Sequence, residues 1–148
     1  MAAIIDKEEK KQHLEFIQNV ITRMNTNSFQ IKGMAVTIVS ALIAIYATTT
    51  NTTFIFLGIV PTILFWFLDS YYLQQERKFR GVYNNVAGLE KDVEIKLYEM
   101  PIRKFQGGQY CFCKALETIA WLYGTIVFLL LFGGLILNFK DCITINGQ

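Results

Sequence analysis

The sequence predicts an all-α integral membrane protein. It has an amphipathic N-terminal helix, three transmembrane helices and a helical cytoplasmic loop between the second and third. Hydrophobic residues make up 53% of the 148 residues, and the mean hydropathy is +0.33. Charged residues make up 18%, below the roughly 25% of soluble domains. The apolar residues lie in long blocks rather than at the spacing of a soluble core, which indicates lipid as the surrounding solvent.

Residues 1–32 are predicted to form a cytoplasmic amphipathic helix. Its apolar residues recur mostly at three- or four-residue spacing and share one face: Leu14, Ile17, Ile21, Met24 and Ile31. The run Asn25-Thr26-Asn27-Ser28 is rich in capping and turn residues, which predicts a break or kink. The helix is expected to lie along the membrane surface or against a neighbouring helix. A specific ligand or partner site is the alternative.

A transmembrane hairpin is predicted over residues 33–73. Its first span, Gly33 to about Thr50, falls within the roughly 17–25 residues that cross a hydrocarbon core. Small side chains recur along this span every three or four residues and form a helix-packing stripe: Gly33, Thr37, Ser40, Ala44 and Thr48. In lipid, close backbone approach and van der Waals contact hold helices together. The stripe therefore predicts packing within one subunit or between subunits, with a polar pore lining as the alternative.

An uncharged tight turn over residues 47–53 makes the first two spans antiparallel neighbours. The second span, residues 54–73, contains Pro61, which removes a backbone donor and should kink the helix. Aromatic side chains with polar tips favour the headgroup level of a membrane. Three of them mark the point where this helix leaves the lipid: Trp66, Tyr71 and Tyr72.

Residues 74–114 are predicted to be a cytoplasmic helical segment, too short for a catalytic or nucleotide-binding domain of its own. An apolar stripe continues the helical pattern through this segment: Val82, Val86, Leu89, Val93, Leu97 and Met100. Gly81, Gly88 and Pro101 predict breaks or kinks along it.

A third transmembrane helix is predicted over residues 115–139, followed by a short tail over residues 140–148. Every Lys and Arg residue except Lys140 lies before the first span or between the second and third. Membrane proteins keep Lys and Arg on the cytoplasmic side. The N-terminus and the 74–114 segment are therefore predicted to be inside and the tail outside. Residues 1–32 lack the apolar run of a secretory signal, so the first span is expected to direct insertion.

Asp69, near the cytoplasmic end of the second span, is the most informative charged residue. A carboxylate within a span is costly and usually faces a partner or water. Lys32 lies at the same level on the preceding helix and is its expected counter-ion. Two interpretations stay open: an interhelical pair, or a ring of Asp69 carboxylates that selects cations at the mouth of an oligomeric pore. Glu117, at the start of the third span, carries the same alternatives.

The other polar residues predict no catalytic, cofactor or metal site. His13 stands alone among charges, and Cys111 and Cys113 lack a second pair at the spacing of a zinc site, so free thiols are expected; metal or redox use is the alternative. No phosphate loop, catalytic triad or dinucleotide fingerprint occurs, which argues against an enzyme. A basic cluster after the second span is expected to contact lipid headgroups or a partner: Arg77, Lys78 and Arg80.

Three features of the layout carry a family resemblance. The N-terminal helix ends in residues 23–29, two spans follow with a minimal turn between them, and the second span continues into residues 66–73 and 76–79. Over roughly residues 10–85, this layout resembles small bacterial membrane proteins of the SLATT type and the related small octameric membrane proteins. The resemblance implies a membrane hairpin flanked by cytoplasmic helices. It also implies a membrane-disrupting or pore-forming effector of bacterial conflict and anti-phage systems. The third span departs from this two-span core.

The sequence thus favours a homo-oligomeric protein of the bacterial inner membrane that forms a pore or perturbs the membrane under control of its cytoplasmic helices. One alternative is a non-conducting adaptor that recruits a soluble partner through residues 74–113. Another is a subunit of a larger membrane complex. Membrane lipids are expected contacts in each case. The net charge of +2 is too small to indicate nucleic acid as a partner.

Overall fold

The computed structural model describes the backbone of residues 2–90 and 93–146, and the side chains of residues 7–90 and 93–139. Over these ranges helix is the only regular secondary structure, so the predicted all-α fold class is confirmed. The α-helices are α1 (Ala2–Thr49), α2 (Thr53–Leu57), α3 (Ile59–Ala87) and α4 (Phe112–Asn146). Two short 3-10 turns, Ile102–Lys104 and Gly108–Tyr110, lie between α3 and α4.

Three segments of the described chain are long and apolar enough to cross a membrane: Lys7–Thr49, Thr53–Ala87 and Phe112–Phe139. Each contains one of the predicted spans. Large apolar side chains along them are exposed in the single chain, Leu64 and Phe128 among them. Such exposure is unfavourable in water but natural where acyl chains cover the surface. The tail predicted from residue 140 is helical as far as Asn146, and residues 147–148 lie outside the described part.

The break predicted at residues 25–28 is wrong, because α1 is helical through all four residues. Side chains of this type favour turns when they compete with helical backbone hydrogen bonds. Here the hydroxyls of Thr22 and Thr26 instead donate to the carbonyls of Gln18 and Thr22, one turn earlier, at 3.0 Å each. These two threonine hydroxyls are thus satisfied within the helix, which continues through the run.

The interruption in the second span lies at Gly58, between α2 and α3, and Pro61 explains it. Pro61 has no N–H to donate to the carbonyl four residues earlier, which belongs to Leu57, the last residue of α2. The next carbonyl, that of Gly58, accepts both the backbone N–H of Thr62 at 3.3 Å and its hydroxyl at 2.7 Å. The helix therefore resumes within one turn.

One compact unit, which we call the apolar unit, comprises Gln30–Asp69 and the chain from Leu116 onward. Its buried core joins Val39 of α1, Ile55 of α2 and Leu130 of α4. Gly134 allows the closest approach, because a Cβ built there would lie 2.9 Å from the Phe56 ring. The unit is thus held by small-residue contact and apolar packing, as expected for helices in lipid.

The second compact unit, which we call the polar unit, comprises the chain up to Phe29 and Ser70–Ala115. Its core is formed by residues of α1, α3 and the segment that follows α3: Ile17, Ile21, Val82 and Phe105. Gly81 of α3 lets the Phe105 ring approach the helix backbone, since a Cβ there would lie 2.6 Å from that ring. Phe105 is thereby packed onto α3 although no regular element carries it.

The helical segment predicted over residues 74–114 is helical as far as Ala87 of α3, but the prediction is wrong for the described residues between Gly88 and Cys111. Apart from the two 3-10 turns, this segment is irregular. Three of its backbone positions, Gly88, Tyr98 and Gly107, have φ values of +88°, +59° and +77°, which are incompatible with a right-handed helix. Of the predicted apolar stripe, Val82 is buried and Val86, Val93 and Met100 pack against the same core, whereas Leu89 and Leu97 are exposed.

Candidate functional site

The candidate site is a buried ion pair in the apolar unit. Asp69 of α3 is fully buried, with 0% of its surface exposed. The ammonium of Lys32 on α1 lies 2.7 Å from its Oδ2 and 2.9 Å from its Oδ1. One lysine therefore contacts both carboxylate oxygens. About a third of the Lys32 side chain remains exposed, so the pair has one protected member and one accessible member.

The third helix of the unit contributes Tyr123, whose side chain is also fully buried. Its hydroxyl is in electrostatic contact with Asp69, although the contact falls short of a well-formed hydrogen bond. One turn before Asp69, the Trp66 indole N–H donates to the Leu116 carbonyl at 3.2 Å. Polar contacts thus converge on this part of α3 from both α1 and α4.

Tyr123 was missed by the sequence analysis. The available signal was a polar hydroxyl well inside the most apolar predicted span, where a buried polar group needs a partner. Glu117, the other acidic residue considered there, is exposed on α4. The structure therefore brings Asp69 together with Lys32 and Tyr123 and leaves Glu117 on the surface of the unit.

The burial of Asp69 favours an interhelical pair over a ring at a pore mouth. A ring requires carboxylates that face a common water-filled axis, whereas this carboxylate is enclosed by its own chain and neutralised by Lys32. A buried pair contributes little net stability compared with apolar residues, but removal of one partner is strongly destabilising. The arrangement therefore specifies the relative positions of α1, α3 and α4 within the apolar unit.

The small-residue stripe of α1 is exposed along its whole length. A Cβ built at Gly33 would meet no atom within 4 Å. The Thr37 hydroxyl donates to the Gly33 carbonyl at 2.9 Å, and the Thr48 hydroxyl donates to the Ile45 carbonyl at 2.9 Å. The stripe therefore lies outside the buried core of the described residues, and these two hydroxyls are satisfied by their own helix.

The basic cluster lies in the polar unit, where two of its members make contacts within the chain. Arg80 forms an ion pair with Glu76 at 2.7 Å, and Arg77 donates to the Gln109 carbonyl at 3.4 Å. Lys78 is partly exposed. Arg77 and Arg80 therefore help to order α3 and the segment that returns to it, in addition to any contact they make with headgroups.

His13 of α1 packs against the segment that follows α3. It is 1% exposed, and its Nδ1 accepts the backbone N–H of Tyr98 at 3.3 Å. The Tyr98 hydroxyl donates to Gln12 Oε1 at 2.8 Å. These contacts hold the left-handed backbone of Tyr98 against α1. Among the side chains that the structure describes, no three His, Cys, Asp or Glu residues gather closely enough to hold a metal ion.

Comparison of the chain with protein-family models, with curated proteins and with solved structures finds no match.

Proposed function

We propose that this chain is a homo-oligomeric, multi-pass protein of a bacterial inner membrane that forms a pore or perturbs the membrane, without enzymatic activity. The observation that carries the proposal is the exposed small-residue stripe of α1. The resemblance to SLATT-type proteins supports an effector role in conflict or anti-phage systems. The buried Lys32–Asp69 pair orders the helices within each copy.

The stripe lies on the opposite side of α1 from the face that packs inside the chain. The internal face is formed by Ile31, Ala35 and Val39, all buried. At 3.6 residues per turn, the centre of the stripe lies roughly 180° away from this face. A face of small side chains makes few van der Waals contacts with lipid chains. A second helix can approach such a face closely and makes more of them. A second copy of the chain provides such a helix.

We expect Ser40→Leu combined with Ala44→Leu to weaken self-association about tenfold or more, a change of at least about 1.4 kcal/mol. The two leucines fill the surface that a neighbouring helix must approach. Mass measurement in detergent should then shift towards the 17.0 kDa of one chain. Ion flux through liposomes that contain the protein should fall in parallel.

The matched control enlarges two exposed side chains on another side of the same helix, Met34→Phe and Ile38→Phe. This variant should keep the wild-type mass and flux. A wild-type chain that is monomeric in detergent and gives no flux would refute the proposal.

We propose that the N-terminus and the segment between the second and third spans are cytoplasmic and that the C-terminus is external. The distribution of Lys and Arg supports this orientation, because only Lys140 follows the third span. Alkaline phosphatase fused after Gln148 should be active, whereas a fluorescent protein that folds only in the cytoplasm should fluoresce when fused before Met1. The opposite pattern would reverse the orientation.

A membrane adaptor is the second candidate function, and the order of the segment after α3 favours it. Phe105 and Val82 share a core with Ile17 of α1, so this segment presents a folded surface of the kind that a soluble partner can bind. Two results together would support the adaptor over the pore. The protein should capture a partner in a pull-down only when residues 88–111 are present, and it should give no ion flux.

A further inference from the structure

Cys111 and Cys113 lie side by side at the start of α4 and serve neither the ion pair nor the proposed assembly. Cys111 immediately precedes the helix in an extended conformation, with φ −71° and ψ 141°. Its carbonyl accepts the N–H groups of Lys114 at 3.2 Å and Ala115 at 3.3 Å, which makes it the N-cap residue. Both thiols are free; Cys111 is half-buried and Cys113 is exposed.

The sulfur of Cys111 occupies the place of a capping side chain. The backbone N–H and the thiol of Cys113 both act on this sulfur, so the two thiols are neighbours at the start of the helix. The backbone N–H of Cys113 contributes most to holding the pKa of the Cys111 thiol below its ordinary value. The Cys113 thiol and the nearby Lys114 ammonium lower this pKa further, whereas partial desolvation of the thiol raises it. Thiolates are favoured at helix N-termini for the same reason.

The residues before the pair are attached to α3, which fixes where the pair lies. The Gln74 side chain donates to the Tyr110 carbonyl at 3.0 Å, and Arg77 contacts the Gln109 carbonyl. The Tyr110 hydroxyl and the Phe105 ring both lie against Gly81. Cys111 is therefore presented at a defined position rather than at the end of a free loop.

We propose that Cys111 and Cys113 form a redox-sensitive dithiol that a hydroperoxide converts reversibly to an intramolecular disulfide. Cys111 is the attacking thiol because its sulfur is the one stabilised as a thiolate. Cys113 is the resolving thiol because it is exposed and lies two residues from Cys111 at the same helix start. Two α-carbons two residues apart are separated by at most about 7 Å, which overlaps the roughly 4.4–6.8 Å that a disulfide requires.

The reaction balances with one hydroperoxide. The Cys111 thiolate attacks a peroxide oxygen, the O–O bond breaks, and a sulfenic acid forms while hydroxide (or alkoxide) leaves with a proton from solvent. The Cys113 thiolate then attacks the sulfenic sulfur, the S–S bond forms, and the sulfenic oxygen leaves as water. Both sulfur atoms are oxidised by one electron each, and the peroxide is reduced by two. A small dithiol reverses the reaction by thiol–disulfide exchange.

The test treats the full-length protein in detergent micelles with hydrogen peroxide at pH 7 and follows each cysteine by peptide mass spectrometry. Cys142, the third cysteine of the sequence, serves as the internal reference. We expect Cys111 to react severalfold faster than this reference, because its lowered pKa increases its thiolate fraction at pH 7. The peptide that contains residues 111–113 should lose 2 Da, consistent with loss of two hydrogens on disulfide formation, and dithiothreitol should restore it.

Two variants separate the roles of the two thiols. Cys113→Ser keeps the backbone N–H and a donor side chain but cannot resolve, so a Cys111 sulfenic acid should accumulate and be trapped by dimedone. In Cys111→Ser the remaining Cys113 should react no faster than Cys142. Equal rates at Cys111 and Cys142, or disulfides formed only between chains, would overturn the proposal. None of these oxidation measurements depends on self-association through α1. Failure of the dithiol proposal is therefore distinguishable from failure of the proposed function.

Discussion

Lys32→Met is expected to destabilise the protein by about 3–5 kcal/mol, the usual cost of leaving one member of a buried ion pair without its partner. Asp69 is fully buried, so water cannot replace the ammonium that contacts both of its oxygens. The measurement is the free energy of unfolding in detergent micelles, from denaturant titration followed by circular dichroism.

The reverse substitution, Asp69→Asn, should cost less, because the ammonium left behind is not enclosed. About a third of the Lys32 side chain is exposed, and a lysine near the end of a span can extend towards water. The double variant Lys32→Met/Asp69→Leu should recover most of the lost stability, because apolar pairs replace buried ion pairs at little cost. Equal losses in the two single variants, with no recovery in the double variant, would contradict this account.

The same variants bear on the ring interpretation of Asp69. If the pair only orders helices, Asp69→Asn should change assembly and flux together or leave both unchanged. If assembly stays intact while ion selectivity changes, the carboxylate faces an axis in the oligomer and the ring interpretation holds. The burial of Asp69 within one chain favours the first outcome.

The apolar helices were predictable because their signal is local and strong. Long apolar blocks bounded by aromatic and basic residues locate the spans. Lys32 and Asp69 could be placed at one level because a tight turn sets two antiparallel spans side by side. Tyr123 could not be assigned in the same way, since the level of α4 depends on the packing of Gly134 against Phe56 of α2. Nothing in the periodicity of α4 specifies that level.

The helical prediction for the segment after α3 is wrong for a different physical reason. Its apolar residues recur at helical spacing, but tertiary contacts outweigh that pattern. Phe105 packs onto α3 because Gly81 leaves room for its ring, and the Tyr98 backbone N–H donates to a histidine that lies 85 residues earlier. Contacts of this range leave no trace in a local pattern.

Ile17→Ala is expected to cost about 2–5 kcal/mol in the polar unit, because it removes buried methyl groups and leaves a cavity. Ile17 has 0% exposure and shares its core with Val82 and Phe105. Amide hydrogen exchange in the peptides that cover residues 8–29 and 70–110 reports local opening directly. Their protection should fall by a factor that corresponds to the lost stability.

Leu89→Ala is the matched control, because it also removes branched methyl groups from the polar unit but at a site that is 75% exposed. Exposed truncations usually change stability by no more than about 0.5 kcal/mol, so exchange should stay close to that of the wild type. If Ile17→Ala changed exchange no more than Leu89→Ala, the core around Ile17 would not hold the segment after α3 in place. The adaptor function would then lose its folded surface, whereas a pore assembled through α1 would be unaffected by that result.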